Sequence, residues 1–198
     1  MRPNFQHIIE TVEPIVDSIY GPRYRCSLTL KDGTHLPCAV LHSKRKLVEL
    51  AKRRFTEEIN GQGRIGGDDP FGQIVSSFVA CGNRINDYDV KSVTVSRFAP
   101  PLSLLRQIHG ETTMGWTGWV FEMSDGKMFP YGSSFSMEFF QLPDDYAFSD
   151  INRVHSHSYI GKQGELASLQ RGGRMPAQYD YEGLLRERIY FNCAVDDI

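Results

Sequence analysis

The chain has 198 residues, with 22 Lys/Arg against 24 Asp/Glu and a formal net charge of −2; 40% of its residues are hydrophobic and 23% charged. These are globular values, too apolar for an unfolded chain, and too near neutral for bulk charge to recommend nucleic acid or an acidic membrane as partner. At a soft prior of ~150 residues per domain the length fits one domain over residues 1–198, large enough to need no disulfide or metal staple.

The charge is uneven: residues 1–60 carry ten basic and seven acidic side chains, and residues 134–198 carry six and ten. A gradient of this size suits head-to-tail self-association or an oriented partner, and also arises by chance. Cys26, Cys38, Cys81 and Cys193 form no C-x-x-C and sit in apolar or β-like runs, as small buried hydrophobes do. Cys26 and Cys38 flank a predicted hairpin closely enough to pair, but Met1-Arg-Pro-Asn has no apolar secretory core. No apolar run approaches ~18 residues. The expectation is a cytoplasmic protein with reduced thiols and no membrane partner.

Residues 5–19 place Ile8, Ile9, Val12, Ile15 and Val16 at helical spacing, with the helix ending or kinking before Pro14. Tyr24 to Leu30 alternates, Asp32-Gly33 supplies a turn, and His35 to Leu41 returns the chain as a hairpin. Pro37 cannot donate to a ladder, which makes the return strand an edge or gives it a bulge. Ser43 then caps a helix over Lys44–Glu58, with Leu47, Leu50, Ala51 and Phe55 on one face. Its Lys44, Arg45, Lys46, Lys52, Arg53 and Arg54 read either as a nucleic-acid face or as a solvated surface. The second is favoured, because no stacking aromatics flank them.

The Gly-rich run over residues 59–68 contains Gly61-x-Gly63-x-x-Gly66. It follows a helix where the dinucleotide fingerprint requires a strand, so it is read as a connector or lid. Asp68-Asp69-Pro70 opens a predicted helix over Pro70–Ala80. Asn83–Asp89 is turn chemistry, Val90–Phe98 a strand and Leu102–His109 a short helix. Gly118–Met123 and Lys127–Tyr131 flank Asp125-Gly126 as a second hairpin. Ser133–Phe140 alternates as a half-buried strand with Glu138 opposite the aromatics. Leu142–Asp145 turns the chain. Ile151–Ile160 reads as a strand, Gly164–Leu169 as a helix and Ile189–Val195 as a final strand. Together these predict an α+β fold: a mainly antiparallel sheet with two hairpins, packed against two to four helices, its centre in the aromatic stretch Trp116–Tyr159.

The chemical signals are sparse. In Val154-His155-Ser156-His157-Ser158-Tyr159, a continuous strand would project both imidazoles from one face, two of the ligands an open zinc needs. A third ligand would come from Asp150, Glu138, Asp144 or His109. The triplet resembles the zinc motif of JAB/MPN-type metalloisopeptidases, in which His-Ser-His-Pro precedes a ligand aspartate. Here Ser158 replaces the proline and Ser168 stands where the aspartate would be, so the family's activity is not carried over. The bland alternative is a polar edge strand whose histidines satisfy local partners. Arg106, His109 and Glu111 form a second constellation, able to bind an anion, shuttle a proton or cap a helix end. Tyr179, Tyr181, Arg186, Arg188 and Tyr190 are types favoured at interfaces and suit a homodimer or partner contact, or else Tyr190 and Phe191 simply close the core.

With no complete catalytic set and no cofactor implied, the sequence favours a non-enzymatic interaction or accessory protein that binds a protein partner, or itself, through an aromatic-rich sheet face. The alternatives are a zinc-type hydrolase on His155 and His157, and a nucleic-acid binder using the helix 44–58.

Overall fold

The computed structural model describes residues 4–18, 21–60, 83–113, 115–133, 137–169, 176, 185–196 and 198. The glycine-rich connector, the helix expected over Pro70–Ala80, Cys81 and the Tyr179–Tyr181 motif lie outside them. The fold is α+β, with mostly antiparallel sheets, and the chain forms two compact units: Met1–Ser96 with Tyr190–Ile198, and Arg97–Ile189. Among the described residues no helix is long and apolar enough to cross a membrane.

The first unit contains helix α1 (Phe5–Thr11), strands β1 (Ile15–Asp17), β2 (Gly21–Leu30) and β3 (His35–Ser43), helix α2 (Lys44–Ile59), and strands β4 (Arg84–Asn86), β5 (Val90–Val95) and β12 (Phe191–Val195). The sheet runs β1-β2-β3-β12-β4, and β5 also pairs with β2. Helix α1 ends ahead of Pro14, as proline chemistry requires. Gly33 takes φ 92° in the turn between β2 and β3. Pro37 does not make β3 an edge, because β12 pairs with its other side. Its effect is a register shift opposite Ser27, and its carbonyl accepts from Ser27 Oγ at 2.9 Å and Ser96 Oγ at 2.6 Å. Ser43 Oγ accepts the Lys46 N–H at the start of α2.

One expectation changes here. Residues 83–89, read as a turn, contain β4, and that strand exists because β12 supplies its partner from more than a hundred residues away. The closing strand β12 is central, and parallel to both β3 and β4. The core gathers Ile8, Tyr24, Cys26, Leu28, Leu36, Ala39, Leu41, Val90, Cys193 and Val195. Cys26, Cys38 and Cys193 are buried, and burial raises the Cys26 thiol and pushes Cys193 up to about 12.

The second unit is built on strands β6 (Thr117–Met123), β7 (Met128–Ser133), β8 (Ile151–Ser156) and β11 (Leu185–Arg186), in the order β11-β7-β6-β8. A two-stranded sheet of β9 (Ser158–Ile160) and β10 (Leu166–Ser168) accompanies it. β6 and β7 pair antiparallel across Asp125-Gly126, with Gly126 at φ 85°. Trp119 is wholly buried, stacked 5.9 Å from Tyr131 and set edge-on to Phe140 at 5.1 Å. Phe121, also fully buried, lies 5.0 Å from Tyr131. Tyr131 keeps its hydroxyl satisfied by donating to the Gln141 carbonyl at 2.7 Å. On the opposite face, Gly118 and Gly132 make room for Leu169 and the Trp116 indole.

Three expectations in this unit are corrected. Residues 137–139 are not strand; Phe140 makes only an isolated bridge to Glu187, and Glu138 is buried. Gly164–Leu169 is not a helix: Gly161 and Gly164 close a tight turn that returns the chain along β9 as β10. The strand expected over Ile151–Ile160 breaks at His157, whose φ of 52° re-aims the chain from β8 into β9.

Candidate functional site

The break at His157 sets the geometry of the histidine pair. On β8, His155 stands opposite Val120 and so shares a face with Glu122 two residues along β6. Its Nε2–H donates to Glu122 Oε2 at 2.7 Å. That hydrogen bond is the main reason the Glu122 carboxyl lies below its ordinary range; partial burial opposes it, and the charges of His155 and Arg153 add to it.

His157 goes elsewhere. Its backbone occupies the left-handed region, which costs a non-glycine residue about 1–2 kcal/mol although histidine is among the types found there. Its Nε2–H donates to the Gly110 carbonyl at 2.9 Å. The neighbouring His109 meets it edge to face, ring centroids 6.1 Å apart and planes 87° from parallel. His109 is held there by its own N–H, which donates to Ser156 Oγ at 2.8 Å. The structure therefore brings His109 to His157 and takes His155 to a carboxylate. Among the described residues no group of three or more His, Cys, Asp or Glu side chains gathers as metal ligands would.

The remaining predicted residues lie around this turn without converging on it. Glu111 is exposed on the loop after His109. Arg106 ends the one-turn helix Leu102–Leu105, its N–H donating to Leu102 O at 2.9 Å. Tyr159 is buried with Leu169, against Trp116 and Ala167, and belongs to the packing.

Two features escaped the sequence. The first is a cleft of about 350 Å³ lined by Arg97, Phe98, Leu142, Pro143, Tyr146 and Phe148, with Asp144 also at its wall. The Arg97 and Arg188 guanidinium carbons lie 4.7 and 4.2 Å from the Phe98 ring centroid. Arg188 also donates to the Gln141 side-chain oxygen, and its N–H to the Phe139 carbonyl. The second is a polar face on the sheet of the first unit, where His42 Nε2–H donates to Asn192 Oδ1 and Arg25 is buried. Both assemble residues far apart in the chain, so no local spacing announces them.

The basic helix α2 carries its own counter-charges. Glu49 pairs with Arg45 at 2.9 Å and Lys46 at 3.5 Å, and Glu57 with Arg54 at 3.3 Å and Arg53 at 3.9 Å. Comparison with protein-family models, curated proteins and solved structures finds no match to this chain.

Proposed function

We propose that this chain is a non-enzymatic interaction protein whose recognition surface is the Phe98 cleft, and that the cleft takes a segment of a protein partner carrying a carboxylate beside an apolar side chain. The observation that carries the reading is the convergence of Arg97 and Arg188 on one ring. Two guanidiniums each within 5 Å of a common centroid stand no farther apart than about 9 Å, inside the Debye length of about 10 Å at 0.1 M salt, so they repel. Among the described residues no carboxylate forms an ion pair with either. An incoming carboxylate would relieve that repulsion, and the fork geometry of arginine suits it.

The wall supplies the rest. Leu142, Pro143 and Phe148 offer apolar contact and Tyr146 a partly exposed ring. This relocates the expected recognition face: Trp119, Phe121, Tyr131 and Phe140 are fully buried, so those rings hold the unit together and leave binding to the cleft. A panel of short labelled peptides tests the reading by fluorescence anisotropy, with sequences matched except that Asp/Glu beside Phe or Leu is replaced by Lys. Acidic members should bind at low salt and weaken as salt rises. Equal or stronger binding of the Lys members would overturn the assignment.

A further inference from the structure

We infer that His109 and His157 form a two-histidine site for a divalent transition metal ion, independent of the Phe98 cleft and different from the His155/His157 pair that the sequence suggests. The residues come from two separate segments, the loop after Leu102–Leu105 and the turn between β8 and β9, and the fold brings their rings edge to face with centroids 6.1 Å apart. With metal–nitrogen bonds of about 2 Å, two imidazoles sharing one ion stand with centroids roughly 5–6 Å apart, close to the observed spacing.

The hydrogen bonding prepares the nitrogens for this use. A neutral histidine carries one ring N–H. In His157 that proton is at Nε2, where it donates to the Gly110 carbonyl, so Nδ1 holds a lone pair. A ligating imidazole whose other nitrogen donates to a backbone carbonyl is the usual arrangement around a metal, because it fixes the tautomer and raises basicity. His109 keeps its whole ring available: its only hydrogen bond in the described structure is through the main chain, to Ser156 Oγ. That bond ties the loop to β8 and sets the spacing of the two rings. His157 sits at φ 52°, a left-handed conformation uncommon outside glycine, and such outliers concentrate where a side chain must be aimed.

His155 stands apart from the set because the break at His157 turns the two side chains to different partners, Glu122 for His155 and the Gly110 carbonyl for His157. The site thus offers two protein ligands, with water completing the shell. Imidazole donors select Zn2+, Ni2+ or Cu2+ over the oxygen-preferring Mg2+ and Ca2+.

Tag-free full-length protein titrated with Zn2+ by isothermal calorimetry tests the inference, with Mg2+ as the comparison ion. One Zn2+ per chain should bind, Mg2+ should not, and His109→Ala or His157→Asn should each weaken Zn2+ at least tenfold. Asparagine is chosen at 157 because it tolerates the left-handed backbone, so the fold persists without the ligand. His155→Gln, with His109 and His157 intact, should leave the affinity within twofold. Absence of Zn2+ binding at millimolar ion, or binding that survives both the His109 and the His157 substitutions in folded protein, would overturn the site. So would a tenfold loss on His155→Gln.

Discussion

Glu122 Oε2 and His155 Nε2 meet at 2.7 Å across the β6–β8 ladder, on the face opposite the Trp119 and Phe121 rings. The contact assigns His155 a partner and leaves His157 to the turn. Its energetic signature is pH-dependent. The Glu122 carboxyl is lowered first by the hydrogen bond from His155, so its contribution to stability is present above the unfolded carboxyl value of about 4.3 and is lost as the pH falls through the lower folded value. Glu122→Gln removes the titrating group. The stability gap between wild type and variant should be largest above that range and shrink as the pH is taken toward 3. Urea unfolding at a series of pH values reads this, and a gap that does not change with pH would count against the pairing.

The aromatic core of the second unit gives a larger effect. Phe121 is fully buried against Tyr131 and Trp119. Truncation to alanine removes that contact and leaves a cavity, a loss of about 3–5 kcal/mol. Ile189, which is 88% exposed in the same unit, should tolerate alanine within about 0.5 kcal/mol. Both tryptophans belong to this unit, so tryptophan fluorescence during urea unfolding follows it directly.

Gly132 tests the other face of the same sheet. A Cβ there would stand 1.9 Å from Trp116 Cζ2, far inside contact distance, and the indole would have to move. Gly132→Ala should cost about 1–3 kcal/mol, the ordinary range for overpacking, and shift Trp116 emission to the red as the ring is displaced toward water. Unchanged emission and stability would mean that the ring does not pack on this glycine.

What could be read from the sequence follows from how local each signal is. The end of α1 before Pro14, the Ser43 cap on α2, and the turns at Gly33 and Gly126 each depend on a few adjacent residues, and the structure places them as expected. Where pairing is distant, local reading failed. β4 depends on β12, and β10 exists only because the Gly161–Gly164 turn returns it onto β9. The histidines show the same limit. Two-residue spacing implies a shared face only if the strand is unbroken, and one left-handed residue, His157, ends it. The sequence offers His109 as a third ligand but no spacing that places it, and a serine hydroxyl from β8 is what brings it to His157. The Phe98 cleft draws on residues 97–98, 142–144 and 146–148, with Arg188 reaching the Phe98 ring, and only the assembled fold joins them.

The most direct test of the cleft as a recognition surface is a binding isotherm for the tightest acidic peptide of the panel, measured on wild type and on the Arg97→Ala/Arg188→Ala double variant, with thermal melts confirming that both are folded. If the cleft is the recognition surface, wild type binds saturably and the double variant binds at least tenfold more weakly. Equal affinities for the two proteins would contradict it.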